Sequence, residues 1–405
     1  MIARGGAVRY GCAMQRPVGI DLISFHTPAY YLALDTLAGV RGADPAKYHV
    51  GIGQDRMSIP PPDQDIVTLA ANAAAPLLAK SGTENIGHVL FATESCIDLS
   101  KAAALFCHGL LGLPPRCRCV ELKEACYAGT AALKLACEVV RNHPDERVLV
   151  LASDVARYDL GSPGEPTQGA GAVAMLVSAD PRVFAIEPEC GFHAEDIMDF
   201  WRPTYRTEAL VEGKYSTRMY LSTLRSAWEG YKAASGRGLA DHARFCFHLP
   251  FTKIAFKAFD RLCRFEGIEA PAMEEQEALL SPATWYNRQT GNTYAACLYE
   301  SLCSLLDTAE EDLSDKRVGM FSYGSGCMAE YYAGRVVPGY RAHLFAAEHK
   351  KMLEERTELT YRQYEDIYTY GIPQDGDSHL MAPYRSGPFR LAGLENHKRR
   401  YERAE

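Results

Sequence analysis

The 405-residue chain reads as an α/β protein with substantially parallel sheet. Three observations carry that reading: short runs rich in valine, isoleucine and phenylalanine, helical apolar spacing between them, and the same order of elements met a second time. Pattern begins at "VGIDLISF" (18–25); the residues before Val18, with Met14 a possible start, show no periodicity and receive no assignment. Five apolar runs then have the length and composition of buried strands: "IGHVLFAT" (86–93), "RVLVLAS" (147–153), "GAVAMLVS" (171–178), "RFCFH" (244–248) and "RVGMFSY" (317–323).

Between them, "ACYAGTAALKLACEVVRN" (125–142) places apolar side chains at 132, 133, 136, 139 and 140, a helical spacing. "NTYAACLYESLCSLLDTA" (292–309) repeats it. In each half a strand ending in a polar residue precedes such a helix, and a further strand follows, so two similar α/β halves are expected, 18–180 and 181–405. Beyond about 340 the sequence turns charged and tyrosine-rich, "AAEHKKMLEERTELTYRQYEDIY", as in helix packed outside a core. The tail from Tyr370 reads as loop that wraps the body or a neighbouring subunit, without chemistry of its own.

With 47% apolar and 23% charged residues, the composition is that of a globular protein able to bury a large core. A net charge of −8 and a pI near 5.9 disfavour nucleic acid and anionic membranes as partners, but leave room for a phosphorylated ligand in a local basic pocket. No apolar run approaches the ~20 residues that cross a bilayer. The thirteen cysteines are odd in number and no secretory leader opens the chain, so reduced thiols in a cytoplasm are expected. "RCRC" (116–119) lacks the spacing and the partner pair of a zinc site, so no metal is expected.

Strand ends are where α/β folds present reactive groups. Glu94 follows the first strand, His248 ends the fourth, and Gly324-Ser325-Gly326 follows the fifth, while Cys126 and Asn292 stand at the two helix starts. A cysteine in a helix's first turn has its pKa lowered by the unpaired N–H groups, whereas a buried structural thiol is the competing reading. Glu94 is either a solvated strand-end carboxylate or, beside an apolar pocket, a proton-transfer group with raised pKa. His248 is a hydrogen-bonded core residue or an acid/base group. Lys253 and Lys257 share a helix face, either solvated or holding a phosphate. Ser325's turn can expose an N–H toward an oxyanion, and Asn292 either caps its helix or bonds a substrate carbonyl.

In this order the sequence resembles the 3-hydroxy-3-methylglutaryl-CoA synthase family of thiolase-like condensing enzymes. The resemblance rests on "FATESCIDLSKAA", "ELKEACYAGTAALKLA", "SPGEPTQGAGAVAMLV", "MDFWRPTYRTEALVEGKYS", "FHLPFTKIAFKAF", "GNTYAACLYESL" and "FSYGSG", and runs from about Val18 to Tyr401. It is similar above all to the bacterial mevalonate-pathway form, through "DFWRP" and "GPFRLAGLENHKRRY". The resemblance implies a layered αβαβα thiolase-like fold, a homodimer, and acetyl-CoA and acetoacetyl-CoA as substrates with no separate cofactor. It implies Cys126 as nucleophile, Glu94 and His248 as acid/base groups, Asn292, Ser325 and Tyr158 in the substrate pocket, and Lys253 and Lys257 toward coenzyme A. Acyl carrier protein is the alternative substrate carrier, as in the polyketide β-branching synthases. A ketoacyl synthase has no place for Glu94, a degradative thiolase would need a second active cysteine for which Cys327 is the candidate, and a thiol-rich binding protein would form no acyl intermediate.

Overall fold

The structure, a computed structural model, describes residues 16–404, so the unassigned leader with Met14 lies outside the described residues apart from Arg16 and Pro17. Nine strands form the main sheet: β1 (Val18–His26), β2 (Ile86–Ala92), β3 (Arg118–Leu122), β4 (Arg147–Val155), β5 (Ala170–Ala179), β6 (Phe184–Ala194), β7 (Arg244–Phe247), β8 (Arg317–Gly324) and β9 (Met328–Val336). Their order is β7-β8-β9-β6-β1-β5-β4-β2-β3.

The repeated order of elements is a repeated pairing scheme. In one half β2 runs parallel to β4, β4 antiparallel to β5, and β5 antiparallel to β1. In the other, β7 runs parallel to β8, β8 antiparallel to β9, and β9 antiparallel to β6. The halves touch edge to edge only where Gly19 and Ile20 pair with Ala185 and Phe184. The sheet is therefore mixed rather than substantially parallel. The reason is connection length: a short turn over Ser325 to Cys327 joins β8 to β9, and only antiparallel neighbours accept so short a link.

Because side chains alternate along a strand, each half-sheet has two apolar faces to cover. The inner faces, with Val150, Val173 and Met175 on one side and Val318, Met320 and Tyr332 on the other, pack on helices α2 (Ala128–Asn142) and α6 (Cys297–Thr308). Outside the first half-sheet, α1 (Ile66–Ser81) sets Leu69, Ala73 and Leu77 on Leu22, Phe91 and Leu149. Outside the second, α3 (Gly213–Ser235) and α4 (Ile254–Phe265) bring Leu224, Trp228 and Leu262 to Phe247, Phe321 and Tyr331. A further helix, α5 (Met273–Thr290), leads into α6. The result is five layers, αβαβα.

Three expectations change. Helix α2 begins at Ala128, not at Cys126, because the backbone at Ala125 enters the left-handed region at φ 42° and cannot belong to the helix. Helix α6 begins at Cys297 after a 3-10 turn at Tyr294–Ala296, with Asn292 ahead of both. The tail is not loop: Phe389–Glu395 and Lys398–Arg403 form an antiparallel hairpin. It is tied down by the fully buried Asp63, which accepts from Ser386 Oγ at 2.6 Å, the Tyr384 N–H at 2.9 Å and Arg390 Nε at 3.1 Å. A buried carboxylate needs such partners, and the tail supplies them.

Helix α2 offers an internal control on the layering, since Leu133 is fully buried and Leu135 is 49% exposed. Leu133→Ala should cost about 2–5 kcal/mol in denaturant unfolding. Leu135→Ala should stay within about 0.5 kcal/mol. Equal losses would contradict burial of α2 between the two half-sheets.

Candidate active site

Cys126 sits in the turn that enters α2, where Tyr127 N–H donates to the Glu124 carbonyl at 3.0 Å and Ala128 N–H to the Ala125 carbonyl at 3.2 Å. Its half-buried Sγ donates to Glu94 Oε1 at 3.0 Å. The expectation of a lowered thiol pKa is reversed. Burial, followed by the adjacent Glu94 charge, pushes the Cys126 thiol well above its ordinary value. Cys126 precedes the helix rather than lying in its first turn, and a low-dielectric setting beside a carboxylate disfavours the thiolate. At rest the group is a thiol bonded to a carboxyl group.

Glu94 lies two residues beyond the end of β2, where its backbone is fixed by Asp154. Asp154 Oδ1 accepts from the Glu94 N–H at 2.9 Å and from Thr93 Oγ1 at 2.8 Å, and its Oδ2 accepts from the Ala295 N–H at 2.9 Å. Burial and then the neighbouring Asp154 charge raise Glu94 to about 8. Asp154, wholly buried, is itself raised by burial to about 6, against the pull of the donors from Ala295 and Thr93. Glu94 is thus tuned to exchange a proton near neutrality.

From the second half, His248 follows β7, its N–H donating to the Phe321 carbonyl at 2.8 Å and its carbonyl accepting from Tyr220 Oη at 2.8 Å. Burial lowers its pKa to about 3, so the imidazole is neutral, and its buried Nδ1 has no partner. Asn292 is buried in the turn between α5 and α6, where its Oδ1 accepts from the Tyr294 N–H at 2.9 Å. That is the capping role, and it leaves the other end of the amide for a ligand. Tyr158 is buried, held by its N–H to Gln168 Oε1 at 2.8 Å and its carbonyl to Tyr368 Oη at 2.6 Å. Phe200 stands between Tyr158 and Tyr294, edge-on to both rings at 6.2 and 5.7 Å. Burial raises both phenols.

Ser325 occupies the β8–β9 turn, and this turn lies against that of Cys126: a Cβ on Gly324 would come within 2.6 Å of the Glu124 carbonyl and 2.7 Å of Tyr127 N. Only glycine permits that approach. The turn is braced by buried Asp199, whose Oδ1 accepts from the Gly326 N–H at 3.0 Å and Oδ2 from Tyr323 Oη at 2.7 Å. Lys253 caps α4 and, with its ammonium 4.6 Å from the Phe256 ring, lines a cavity of about 470 Å³ with His49, Thr252, Trp285 and Arg288. Lys257 lies one turn further along, over Phe251 at 5.3 Å, and does not line that cavity. Neither lysine meets Cys126 directly. Cys327 is buried core, and every cysteine among the described residues is unpaired. Among the described residues no three histidine, cysteine or carboxylate side chains converge as metal ligands would.

Sequence reasoning missed Asp154, Asp199 and Tyr294. Asp154 carries the signal that exposed Glu94, an acid at the end of an apolar run, but the strand was read as ending at Ser153. Asp199 stood in the quoted "DFWRP" without a role.

Five layers with a thiol, a carboxylate and an imidazole at the ends of β2, α2 and β7 define a condensing enzyme of thiolase-like fold. Two family models match, hydroxymethylglutaryl-coenzyme A synthase N terminal over residues 14–182 and C terminal over 266–371. The chain is 42% identical over 387 residues to the hydroxymethylglutaryl-CoA synthase of Enterococcus faecalis, covering 95% of this chain and 99% of that one. A crystal structure of HMG-CoA synthase complexed with CoA superposes with a TM-score of 0.90 at 40% identity, covering 96% of this chain and all of the other. The polyketide-biosynthesis 3-hydroxy-3-methylglutaryl-ACP synthase of Bacillus subtilis is 31% identical over 376 residues, 86% of this chain and 87% of that one. The chain belongs to the hydroxymethylglutaryl-CoA synthase family, a group of acyltransferases.

Glu94 gives the site a pH signature. Its pKa rises from 4.5 in the ordinary carboxylate to about 8 in the fold, so the folded state holds a proton that the unfolded state has lost. This contribution to stability is full below about pH 4.5 and is lost as pH climbs through about 8. Glu94→Gln lacks it, so the melting temperature of this variant should gain on the wild type between about pH 5 and about pH 9. A difference constant across that range would contradict the raised pKa.

Proposed function

We propose that the enzyme condenses acetyl-CoA with acetoacetyl-CoA and water to give 3-hydroxy-3-methylglutaryl-CoA and CoA through an acetyl-Cys126 intermediate, serving the mevalonate pathway. The observation that carries the residue assignment is the 3.0 Å bond from Cys126 Sγ to Glu94 Oε1. Because the thiol is not ionised at rest, its proton is released as sulfur attacks the acetyl thioester and ends on the departing coenzyme A, which leaves as the thiol while Glu94 stays free for the next step. Backbone N–H groups at Cys126 and Ser325 stabilise the tetrahedral oxyanion. After acetoacetyl-CoA arrives, ionised Glu94 removes a proton from the acetyl methyl, and the carbanion equivalent attacks the ketone carbon.

His248, neutral with one N–H to offer, polarises that ketone together with the Asn292 amide and passes its proton to the new alkoxide while the proton that Glu94 took from the methyl returns to the imidazole. For the acid/base reading of His248, the neutral imidazole is the form that burial supports. Tyr158 forms a wall of the acyl pocket. Water then hydrolyses the Cys126 thioester. The Lys253 cavity, with Arg288 on its wall, suits the anionic part of coenzyme A, with Lys257 one helical turn behind. The CoA carried by the matched crystal structure favours CoA over a carrier protein, whose use by the Bacillus relative is the second reading. A cytoplasmic homodimer is part of the proposal. It draws support from β3, an edge strand with Val120 46% exposed, and from the absence of any helix long and apolar enough to cross a membrane among the described residues.

Incubation with acetyl-CoA should add one acetyl group to the Cys126 peptide, read by mass spectrometry. Glu94→Ala should keep that label in substantial part while losing condensation by at least about 100-fold. A label on another cysteine, or none, would overturn the assignment. Turnover with carrier-bound acetoacetate above that with acetoacetyl-CoA would favour the second reading.

A further inference from the structure

Glu300 is a carboxylate that the proposed chemistry does not use. It lies on α6, 2% exposed, and hydrogen-bonds none of Cys126, Glu94 or His248. Its Oε1 accepts from Thr290 Oγ1 at 2.5 Å and its Oε2 from Thr293 Oγ1 at 2.7 Å. These threonines flank Gly291-Asn292, so one side chain bridges both ends of the turn that presents Asn292.

The same turn is gripped from other sides. Asn292 N–H donates to the Thr167 carbonyl at 3.1 Å, and Asn287 Nδ2 to the Gly291 carbonyl at 2.9 Å. Gly291 has φ 84°, and a Cβ there would stand 1.9 Å from the Gln168 carbonyl, so the turn has no room to relax toward the first half. Buried Arg356 donates through Nη1 to the Gln289 carbonyl at 3.0 Å, just upstream. The charged or titratable groups that sense Glu300 are Arg356, Tyr286, Cys297 and Cys303. Burial raises Glu300 to about 7, opposed by the two threonines and by Arg356. A carboxylate kept in so dry a place, where an apolar side chain would pack at no desolvation cost, has a task that needs two acceptor oxygens.

We infer that Glu300 is a positioning residue for Asn292: by bridging Thr290 and Thr293 it fixes the turn that aims the Asn292 amide at the acyl site. This rests on the role proposed for Asn292 in condensation. Glutamine at 300 preserves half of the device, since its carbonyl oxygen accepts from one threonine while its amide donates to the other. Leucine preserves none.

The test is a double-mutant cycle on the full chain with Glu300→Leu, Asn292→Ala and the combination, following condensation and, separately, acetylation of Cys126. Glu300→Leu should lower kcat of condensation about 10- to 100-fold, the scale of a misplaced reacting group, while the rate of Cys126 acetylation stays within about twofold. The double variant should be no slower than Asn292→Ala alone, within about twofold, because both changes remove one function. Glu300→Gln should recover most of the loss. Should Glu300→Leu not fold, Thr293→Val, which removes one of the two hydroxyls that Glu300 bridges, combined with Asn292→Ala completes the cycle under the same criterion. Losses that multiply in the double variant, or acetylation that falls in step with condensation, would overturn the inference. A wild type that does not condense the two thioesters at all would instead defeat the functional reading, and this inference with it.

Discussion

Asp154 makes three hydrogen bonds from one buried carboxylate, and the site depends on them. Two go to Thr93 and Glu94 at the end of β2, and the third goes to Ala295, past the turn that carries Asn292. The two half-sheets also meet through the short β1–β6 contact, the packing of α2 on α6, the bond from Thr130 Oγ1 to Ser322 Oγ and that from Asn292 N–H to the Thr167 carbonyl. Asp154, however, ties the Glu94 segment itself to the second half. A hydrogen-bonded carboxylate fixes direction as well as distance, which apolar packing does not. After burial, the same charge raises Glu94's pKa, so one residue fixes where this carboxyl stands and contributes to how it titrates.

Burial sorts the protonation states across the site. It raises Cys126 and Glu94 and lowers His248, and in each case it favours the uncharged form. Neutral thiol, carboxylic acid or carboxylate near its midpoint, and neutral imidazole are the forms that leave no full charge stranded in low dielectric. Loss of water from such a site strengthens each of these effects. The thiol therefore rests un-ionised and bonded to a carboxyl group rather than ionised at a helix terminus.

Much of this was legible in the amino-acid order. Buried strands announce themselves as apolar runs, and Glu94 and His248 were visible because a polar residue at the end of such a run has to face a cavity or water. The strands β1, β3, β6 and β9 were not separated as strands: "RCVEL" is a polar edge, and "MAEYYAGRV" carries a glutamate, a glycine and an arginine on a strand that is almost wholly buried. The start of α2 differs from the expected one because no local propensity reveals that Ala125 is left-handed, in a loop on which the β8–β9 turn packs closely at Gly324. The tail hairpin escaped because its partner, Asp63, lies over three hundred residues away. Asp154 and Glu300 escaped for the same reason: their roles consist of contacts that only the fold creates.

Asp154→Asn tests the central dependence most directly. One oxygen can still accept from Thr93 and Glu94, but an amide NH2 then faces the Ala295 N–H, donor against donor, and this tie from the Glu94 segment to the second half is lost. Condensation measured alongside thermal melting should fall about 100-fold or more with the melting temperature lowered by only a few degrees. Activity within about twofold of the wild type would contradict the account.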